Sequence, residues 1–285
     1  MDFFSYNQFN IYSRLEVFIV RRSIYLGHDR NKAEKMFNID LGKLKKAIEI
    51  LDFRFLKFKI SRCPLHGKSI FVRLNNTMLG VRCVICGAAP IATSMANVLV
   101  KIEPDFKEKS IYELSARGAF FEFLDKSAEN VVFSEYLDGV QPGDSLNDVL
   151  CQDVQQLTFD DGVFDICTST EVFEHVPDDI KGFREIYRVL RGDGVFIFTV
   201  PLHDSEKTVN RVLIEQGEIV YLLEPEYHDD SIRGAGKVLV FRDYGHDLVD
   251  RLLSVGFDSV EIVEEFDSAG FGYKKEVIVA RKSAG

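Results

Sequence analysis

The chain has 285 residues, of which 46% are hydrophobic and 28% are charged, and these proportions are typical of an ordinary soluble globular chain. No apolar run approaches the roughly 20 residues of a membrane-spanning helix, and Arg14, Glu16 and Arg21 interrupt the apolar core that a signal peptide would need. We therefore expect no membrane span and a cytoplasmic location.

The net charge of -10 is unevenly distributed along the chain. Residues 1–110 contain 19 Lys and Arg against 10 Asp and Glu, whereas residues 111–285 contain 16 against 35. A basic N-terminal part can bind phosphate groups, or it can dock on its own acidic neighbour. Nucleic-acid binding is therefore possible, but docking or simple solvation is favoured.

Residues 1–60 predict a helical segment. Residues 11–26 place Ile11, Leu15 and Phe18 on one helical stripe, and residues 31–52 indicate two helices separated by a turn, with Asp40 as a cap. The arrangement loosely resembles a helix-turn-helix, yet no base-reading residues stand out. The alternative is that these helices serve docking or form a homodimer.

The next segment, residues 61–104, predicts a zinc ribbon followed by a linker helix. Two residues separate Cys63 from His66 and likewise Cys83 from Cys86, which is the spacing of tetrahedral zinc ligands. With all four positions filled, such an ion is structural. The odd number of cysteines, five, also argues against a disulfide framework.

Residues 105–285 alternate short apolar strands with amphipathic helices. This alternation predicts an α/β domain with a doubly wound, mostly parallel sheet, in which the loops at the carboxyl ends of the strands face a ligand. Residues 202–242 interrupt the pattern as an insertion, and we expect them to cap the acceptor pocket.

Three stretches of this domain carry a resemblance to a known family. Phe164-Asp165, EVFEHV (171–176) and FREIYRVLRGDGVFIFTVP (183–201) are similar to the fourth strand, the following helix and the fifth strand of class I S-adenosylmethionine-dependent methyltransferases. The resemblance covers roughly residues 110–282. It implies a seven-stranded Rossmann-like sheet, S-adenosylmethionine as cofactor and methyl transfer as the activity.

The resemblance also implies the residues that hold the cofactor. In the first loop, Glu113 matches the family's acid, but Ser115 and Arg117 replace two glycines, and the third falls on Gly118 or Ala119. Glu135 matches the acid that accepts from the ribose hydroxyls, and Asp153 with the N–H of Val154 matches the pair that reads adenine. The implied cofactor residues are Glu113, Ser115, Ala116, Gly118, Glu135, Tyr136, Asp153, Val154, Thr170 and Glu171.

The sequence does not determine which molecule accepts the methyl group. If it is a hydroxyl, a general base assists, and His175 and His228 are the candidates because imidazole titrates near neutral pH. A small molecule or a glycan is the favoured acceptor. The alternatives are a methyltransferase acting on RNA, or a zinc-ribbon nucleic-acid-binding protein whose methyltransferase-like domain has lost its cofactor.

Overall fold

A computed structural model of the chain describes residues 49–230 and 236–284. The helices predicted within residues 1–48, and a homodimer contact through them, lie outside the described residues. All elements below belong to one unit, Leu51–Gly285. Among its described residues, no helix is long and apolar enough to cross a membrane.

The first described element is a three-stranded antiparallel sheet, hereafter the ribbon. Its strands are β1 (Lys57–Cys63), β2 (Gly67–Arg73) and β3 (Val81–Cys83), in that order. Cys63 lies opposite Gly67, whose φ of +101° is a left-handed conformation that glycine adopts without steric cost. Cys63 and Cys83, the first ligand of each predicted pair, are the last residues of β1 and β3.

Eight strands form the central sheet. In chain order they are β4 (Ser110–Glu113), β5 (Asn130–Glu135), β6 (Ser145–Leu146), β7 (Val149–Cys151), β8 (Phe164–Thr170), β9 (Leu190–Thr199), β16 (Ser259–Phe266) and β17 (Lys274–Arg281), with β10 to β15 in the insertion. The spatial order is β16-β17-β9-β8-β4-β5-β7-β6. Strands β9, β8, β4, β5 and β7 run parallel, and β17 is antiparallel to both its neighbours.

The predicted α/β class with a mostly parallel sheet is confirmed. The sheet has one strand more than the seven predicted, because β6 pairs antiparallel with β7. Asn147 and Asp148 connect these two short strands with φ values of 51° and 63°. Two successive residues with positive φ make the tight hairpin turn that asparagine and aspartate tolerate.

Helices cover both faces of the sheet. They are α1 (Pro90–Ile102), α2 (Gly118–Ser127), α3 (Asp179–Val189) and α4 (Leu248–Ser254). In β9, Val195 and Ile197 pack with α1 and α2, whereas Phe196 and Phe198 pack with α3 and α4. Successive side chains of a strand point to opposite faces, so an unbroken apolar strand needs helices on both sides.

Helix α1, which the sequence predicts as a linker helix, is part of the core of this unit. Its residues Met95 and Leu99 are fully buried against strands of the central sheet. The ribbon in turn packs on the loop between β16 and β17, where Phe71 and Val81 contact Ala269. The ribbon and the sheet thus share buried contacts.

The insertion consists of three two-stranded antiparallel pairs. They are β10 (Val209–Asn210) with β15 (Arg242–Asp243), β11 (Val212–Glu215) with β12 (Glu218–Tyr221), and β13 (Tyr227–Asp230) with β14 (Gly236–Leu239). The buried guanidinium of Arg242 donates to the carbonyls of Phe173, Val176 and Pro177 at 3.0, 2.6 and 2.6 Å. These bonds fasten the insertion to the segment that follows β8.

Candidate active site

A cavity of about 830 Å³ lies where the carboxyl ends of β4, β5 and β8 meet. Parallel strands present their ends at one edge of a sheet, so residues distant in sequence converge there. The predicted site residues on its wall are Glu113, Ser115, Gly118, Glu135, Tyr136, Asp153, Val154, Thr170, Glu171 and His175. Ala116 and His228 do not line the cavity.

The first loop turns into helix α2 at Gly118. Its φ is +90°, and a Cβ placed there would meet no atom within 4 Å. The position therefore favours glycine for its backbone conformation, while the open space belongs to the cavity. Of the two positions that the sequence leaves open for the third glycine, the structure places the left-handed residue at Gly118.

Glu135 closes the same loop from the end of β5. Its Oε1 accepts a hydrogen bond from the backbone N–H of Ala116 at 2.9 Å and from the Ser115 hydroxyl at 3.1 Å. Ala116 thus contributes a backbone donor to Glu135 rather than a surface to the cavity. The two bonds hold the loop in place although two of the family's glycines are absent.

Glu113 lies at the end of β4 with 1% of its surface exposed. The hydroxyl of Thr168 donates to its Oε2. Burial raises the pKa of Glu113 to about 8, although the Thr168 hydrogen bond acts in the opposite direction. Its environment therefore favours the protonated form of the carboxyl group.

Asp153 follows β7 in a tight turn. Its Oδ1 accepts from the backbone N–H of Gln155 at 2.9 Å and from the Gln155 side-chain amide at 3.2 Å. A carboxylate that bonds the backbone two residues ahead fixes such a turn. The side chain and its neighbour Val154 are thereby held at the cavity wall.

Arg82, a residue of the ribbon, also lines the cavity. Its Nη1 donates to the carbonyl of Val81 at 2.7 Å, and no carboxylate of residues 49–230 or 236–284 lies within ion-pair distance. Burial lowers the pKa of Arg82 below its ordinary value. A partly buried, unpaired cation is costly, which makes an anionic group of a ligand its natural partner.

Glu174, His175 and His228 meet at the junction of the cavity and the insertion, and we call them the Glu-His cluster. His175 Nε2 lies 3.2 Å from His228 Nδ1 and 3.6 Å from Glu174 Oε1, and His228 Nδ1 lies 3.7 Å from the same oxygen. Only 1% of the Glu174 side chain is exposed, and burial raises its pKa well above the ordinary value. The two candidate bases therefore lie side by side.

The four predicted zinc ligands also come together. The ligand atoms of Cys63, His66, Cys83 and Cys86 all lie within 4.8 Å of one another. The Cys63 and Cys86 sulfurs are 3.8 Å apart, and His66 Nε2 is 3.1 Å from the Cys83 sulfur. Two thiolates bound at about 2.3 Å to a tetrahedral ion are separated by about 3.8 Å.

Residues 112–198 match the sequence model of a family described as "Methyltransferase domain". This range contains the first loop, Glu135, Asp153 and the Glu-His cluster residues Glu174 and His175. Residues 112–198 are therefore similar in sequence to a methyltransferase domain. The cavity lies at the strand ends that the matched range supplies.

Individual proteins are similar to parts of the chain. A sarcosine/dimethylglycine N-methyltransferase from Halorhodospira halochloris is 32% identical over 108 residues, which is 37% of this chain. The chain spans only 39% of the length of that relative. The match therefore concerns a part of each protein and not the whole of either.

Solved methyltransferase structures have similar chains at low identity. One from Mesorhizobium loti is 16% identical, with a TM-score of 0.43 over 66% of this chain and 98% of that one. A Burkholderia thailandensis 1,6-didemethyltoxoflavin-N1-methyltransferase with bound S-adenosylhomocysteine is 17% identical, with a TM-score of 0.42 over 68% and 78%.

Two residues beside the cavity were not predicted from the sequence. Glu174 lies inside the stretch EVFEHV, which the family resemblance singles out, but its burial beside two imidazoles is visible only in the folded chain. Arg82 directly precedes the predicted zinc ligand Cys83, and no local sequence pattern indicates that its side chain lines the cavity. Both residues depend on contacts between segments that are far apart in sequence.

Proposed function

We propose that the protein is an S-adenosylmethionine-dependent methyltransferase that methylates a small polar acceptor. The observation that carries the proposal is the first loop, where left-handed Gly118 leaves open space beside the acids at the ends of β4 and β5. The methyltransferase domain match supports it. We assign this function to residues 105–285, with the insertion 202–242 over the acceptor, and a structural role to residues 61–104.

The pocket residues fit the cofactor in chemistry and in number. Glu135 and Asp153 offer carboxylate oxygens to hydroxyl and amine donors, and Val154 offers a backbone N–H. Arg82 supplies the cation that a carboxylate needs. The remaining residues assigned to the cofactor are Glu113, Ser115, Gly118, Tyr136, Thr170 and Glu171, whereas Ala116 acts only through its N–H bond to Glu135.

S-adenosylmethionine, when bound, supplies a methyl group on a positively charged sulfur to a nucleophile held in line with it. The chain's own contribution is then position and exclusion of water. Val238 and Phe241 at the end of the insertion line the cavity, and both are buried. His175 Nδ1 donates to the carbonyl of Leu239 at 2.9 Å, which fixes the ring so that Nε2 lies 3.2 Å from His228 Nδ1.

The acceptor atom is proposed to be a hydroxyl oxygen of a small molecule or glycan. The reason is the Glu-His cluster, because a hydroxyl gains from a nearby group that assists its deprotonation, and His175 and His228 are that group. An amine nitrogen is the second candidate, because the relative from Halorhodospira halochloris is an N-methyltransferase. Parallel assays with amine and polyol acceptors separate the two.

A structural Zn²⁺ in the ribbon is part of the proposal. The Cys63–Cys86 separation fits a tetrahedral ion, and the hydroxyl of Ser69 contacts the Cys83 sulfur at 3.1 Å as an outer hydrogen-bond partner. The backbone N–H groups of Leu65 and Ala88 also point at Cys63 and Cys86. Zinc would fix strand β3, which carries Arg82, and the adjoining cavity wall.

Calorimetric titration of the full chain with S-adenosylhomocysteine tests the cofactor assignment. We expect saturable binding, weakened about tenfold (about 1.4 kcal/mol) or more by Asp153→Ala. The control is Glu122→Gln, which alters an exposed acid of α2 paired only with Lys126. The absence of binding by the wild-type chain at millimolar ligand would contradict the proposal.

RNA remains the competing acceptor, because residues 1–110 are basic. Binding of RNA by the full chain should then fall steeply with salt, since phosphate contacts release counterions. Binding of S-adenosylhomocysteine without salt-dependent RNA binding supports the small-molecule reading. RNA binding without cofactor binding would favour a nucleic-acid-binding protein.

A further inference from the structure

The Glu-His cluster has the geometry of a metal site. Its three facing atoms, His175 Nε2, His228 Nδ1 and Glu174 Oε1, are separated by 3.2, 3.6 and 3.7 Å. A point about 2.0 Å from all three atoms exists between them, which is the bond length of Zn²⁺ and similar ions to imidazole and carboxylate. The atoms are therefore spaced as ligands of one ion.

Glu174 is the residue that requires an explanation. Both of its carboxylate oxygens are buried and accept no hydrogen bond. A hydrogen bond between the two histidines would satisfy their nitrogens but would leave these oxygens unpaired. Burying a carboxyl group whose oxygens have no hydrogen-bond partner is unfavourable, so a cation held by all three side chains accounts for the arrangement better than a histidine pair alone.

The nearby basic side chains are engaged elsewhere. Lys275 lies 2.9 Å from Glu171 and donates to the carbonyl of Val200, while Arg242 bonds three backbone carbonyls and lies 3.7 Å from Asp179. Neither makes an ion pair with Glu174. Their positive charges stabilise the Glu174 carboxylate from a distance. Neither side chain occupies the point between the three ligand atoms.

The histidine nearest the cavity is oriented as metal-binding histidines are. His175 Nδ1 donates to the Leu239 carbonyl at 2.9 Å, which leaves Nε2 directed at the other two ligand atoms. A backbone carbonyl on the far ring nitrogen is the usual outer partner of a metal-bound imidazole, because it fixes both tautomer and ring orientation. The carbonyl comes from β14, which pairs with the strand that carries His228.

Two chain segments bring the ligands together. Glu174 and His175 lie in the short 3-10 helix Phe173–His175 after β8, and His228 lies in β13 of the insertion. The backbone N–H of Phe241 donates to the Glu174 carbonyl at 2.7 Å, which fixes the insertion beside the helix. The site thus exists only when the insertion is docked on the methyltransferase domain.

We infer that Glu174, His175 and His228 bind a divalent first-row transition-metal ion. Two imidazoles and one carboxylate fill three positions and leave others open, as in sites where a metal also binds a substrate. Since His175 lines the cavity, the open positions suit an oxygen of the acceptor. This role in acceptor binding rests on the proposed methyltransferase function, whereas the metal site itself does not.

The ion would change what the histidines do. A hydroxyl bound to a divalent metal loses its proton more readily, because the cation stabilises the resulting oxygen anion. The metal would then activate the acceptor, whose hydroxyl proton would pass to solvent water, and the two histidines would be ligands of the metal instead of bases. The acceptor class becomes one with oxygen donors that can reach a metal, such as a vicinal diol.

Titration of the full, zinc-loaded chain with Mn²⁺ tests the inference. Electron paramagnetic resonance measures the concentration of unbound Mn²⁺ at each step. Mn²⁺ prefers oxygen and nitrogen ligands, whereas a thiolate-rich site retains zinc. We expect one saturable Mn²⁺ per chain in the wild type. Glu174→Gln and His228→Ala should each weaken the affinity at least tenfold.

The matched control is His246→Ala. His246 is 56% exposed and lies 3.8 Å from Asp204, so it is a histidine beside an acid without a third ligand. It should bind Mn²⁺ like the wild type. A Glu174→Gln chain that retains wild-type Mn²⁺ affinity would overturn the inference, and so would a wild-type chain that binds neither Mn²⁺ nor Co²⁺ at millimolar concentration.

Parallel titration with S-adenosylhomocysteine separates the two proposals. Mn²⁺ binding without cofactor binding refutes the proposed function and leaves the metal site standing. Cofactor binding without metal binding refutes only the metal site. Unchanged S-adenosylhomocysteine affinity in His228→Ala also shows that this variant is folded, because the cofactor residues lie on other segments.

Discussion

Gly118 determines the shape of the first loop at the level of a single residue. Alanine at this position meets no neighbouring atom, so its cost arises from the backbone, about 1–3 kcal/mol for a non-glycine residue held at positive φ. We expect Gly118→Ala to lower both the free energy of unfolding and the affinity for S-adenosylhomocysteine. Chemical denaturation and calorimetry measure the two effects.

Gly139→Ala serves as the control. Gly139 has a φ of +78° and the same open surroundings, but it does not line the cavity. It should lower the free energy of unfolding by a similar amount and leave ligand affinity unchanged. Equal loss of affinity in both variants would contradict the role of Gly118 in the pocket.

The sequence predicted the residues that a local motif or turn identifies, and it missed the residues whose role depends on contacts between distant segments. Gly118 and Asp153 follow strand ends, so the family pattern and the turn chemistry both point to them. Glu174 is separated from His228 by more than fifty residues, and no local pattern shows that the two side chains meet. The same limit hid Arg82, whose isolation from carboxylates is a property of the folded ribbon.

The ribbon is the element that links the proposed zinc ion to the cavity. Strand β3 carries Arg82, and Gly87, Ala88 and Ala89 continue the cavity wall. Cys86→Ser should remove the ion, loosen this wall and weaken S-adenosylhomocysteine binding severalfold. Zinc analysis, limited proteolysis and calorimetry on the full chain check the three steps.

Cys151→Ser provides the comparison for a buried cysteine outside the ribbon. Its sulfur donates to the carbonyls of Leu137 and Val140 and has no place in the zinc cluster. That variant should retain its zinc. Wild-type ligand affinity in a zinc-free Cys86→Ser chain would show that the ribbon does not support the pocket.

For helices and strands, the sequence predicted the elements themselves but not the elements on which they pack. The sequence predicted a helix over residues 91–101, and the structure contains Pro90–Ile102. An amphipathic stripe shows that a helix buries one face but not what covers it, so the packing of α1 on the central sheet was not foreseen. The small strand pairs of the insertion are too short to leave a repeating pattern.

For the whole molecule, Glu113 makes the stability depend on pH. The pKa of its carboxyl group rises from 4.5 in the unfolded chain to about 8 in the folded one, so between these values folding takes up a proton. Its contribution therefore favours the folded state at low pH, weakens as the pH rises through this window and levels off above about 8. The slope is at most about 1.4 kcal/mol per pH unit.

Denaturation of the ligand-free chain at several pH values measures this dependence. Glu113→Gln keeps the size of the side chain and removes its titration, so the fall in the free energy of unfolding with pH should become shallower. Glu129→Gln, which alters an exposed acid, should leave the slope unchanged. An identical slope in the wild type and in Glu113→Gln would contradict the assignment.

The position of β17 has a consequence for how the chain folds. This strand lies between β9 and β16, so β9 exposes one edge and its apolar side chains until residues 274–281 arrive. Pairings between distant segments form slowly, and an unpaired apolar strand is prone to aggregation while it waits. We therefore expect a chain that ends after β9 to expose this strand edge and to aggregate more readily than the full chain.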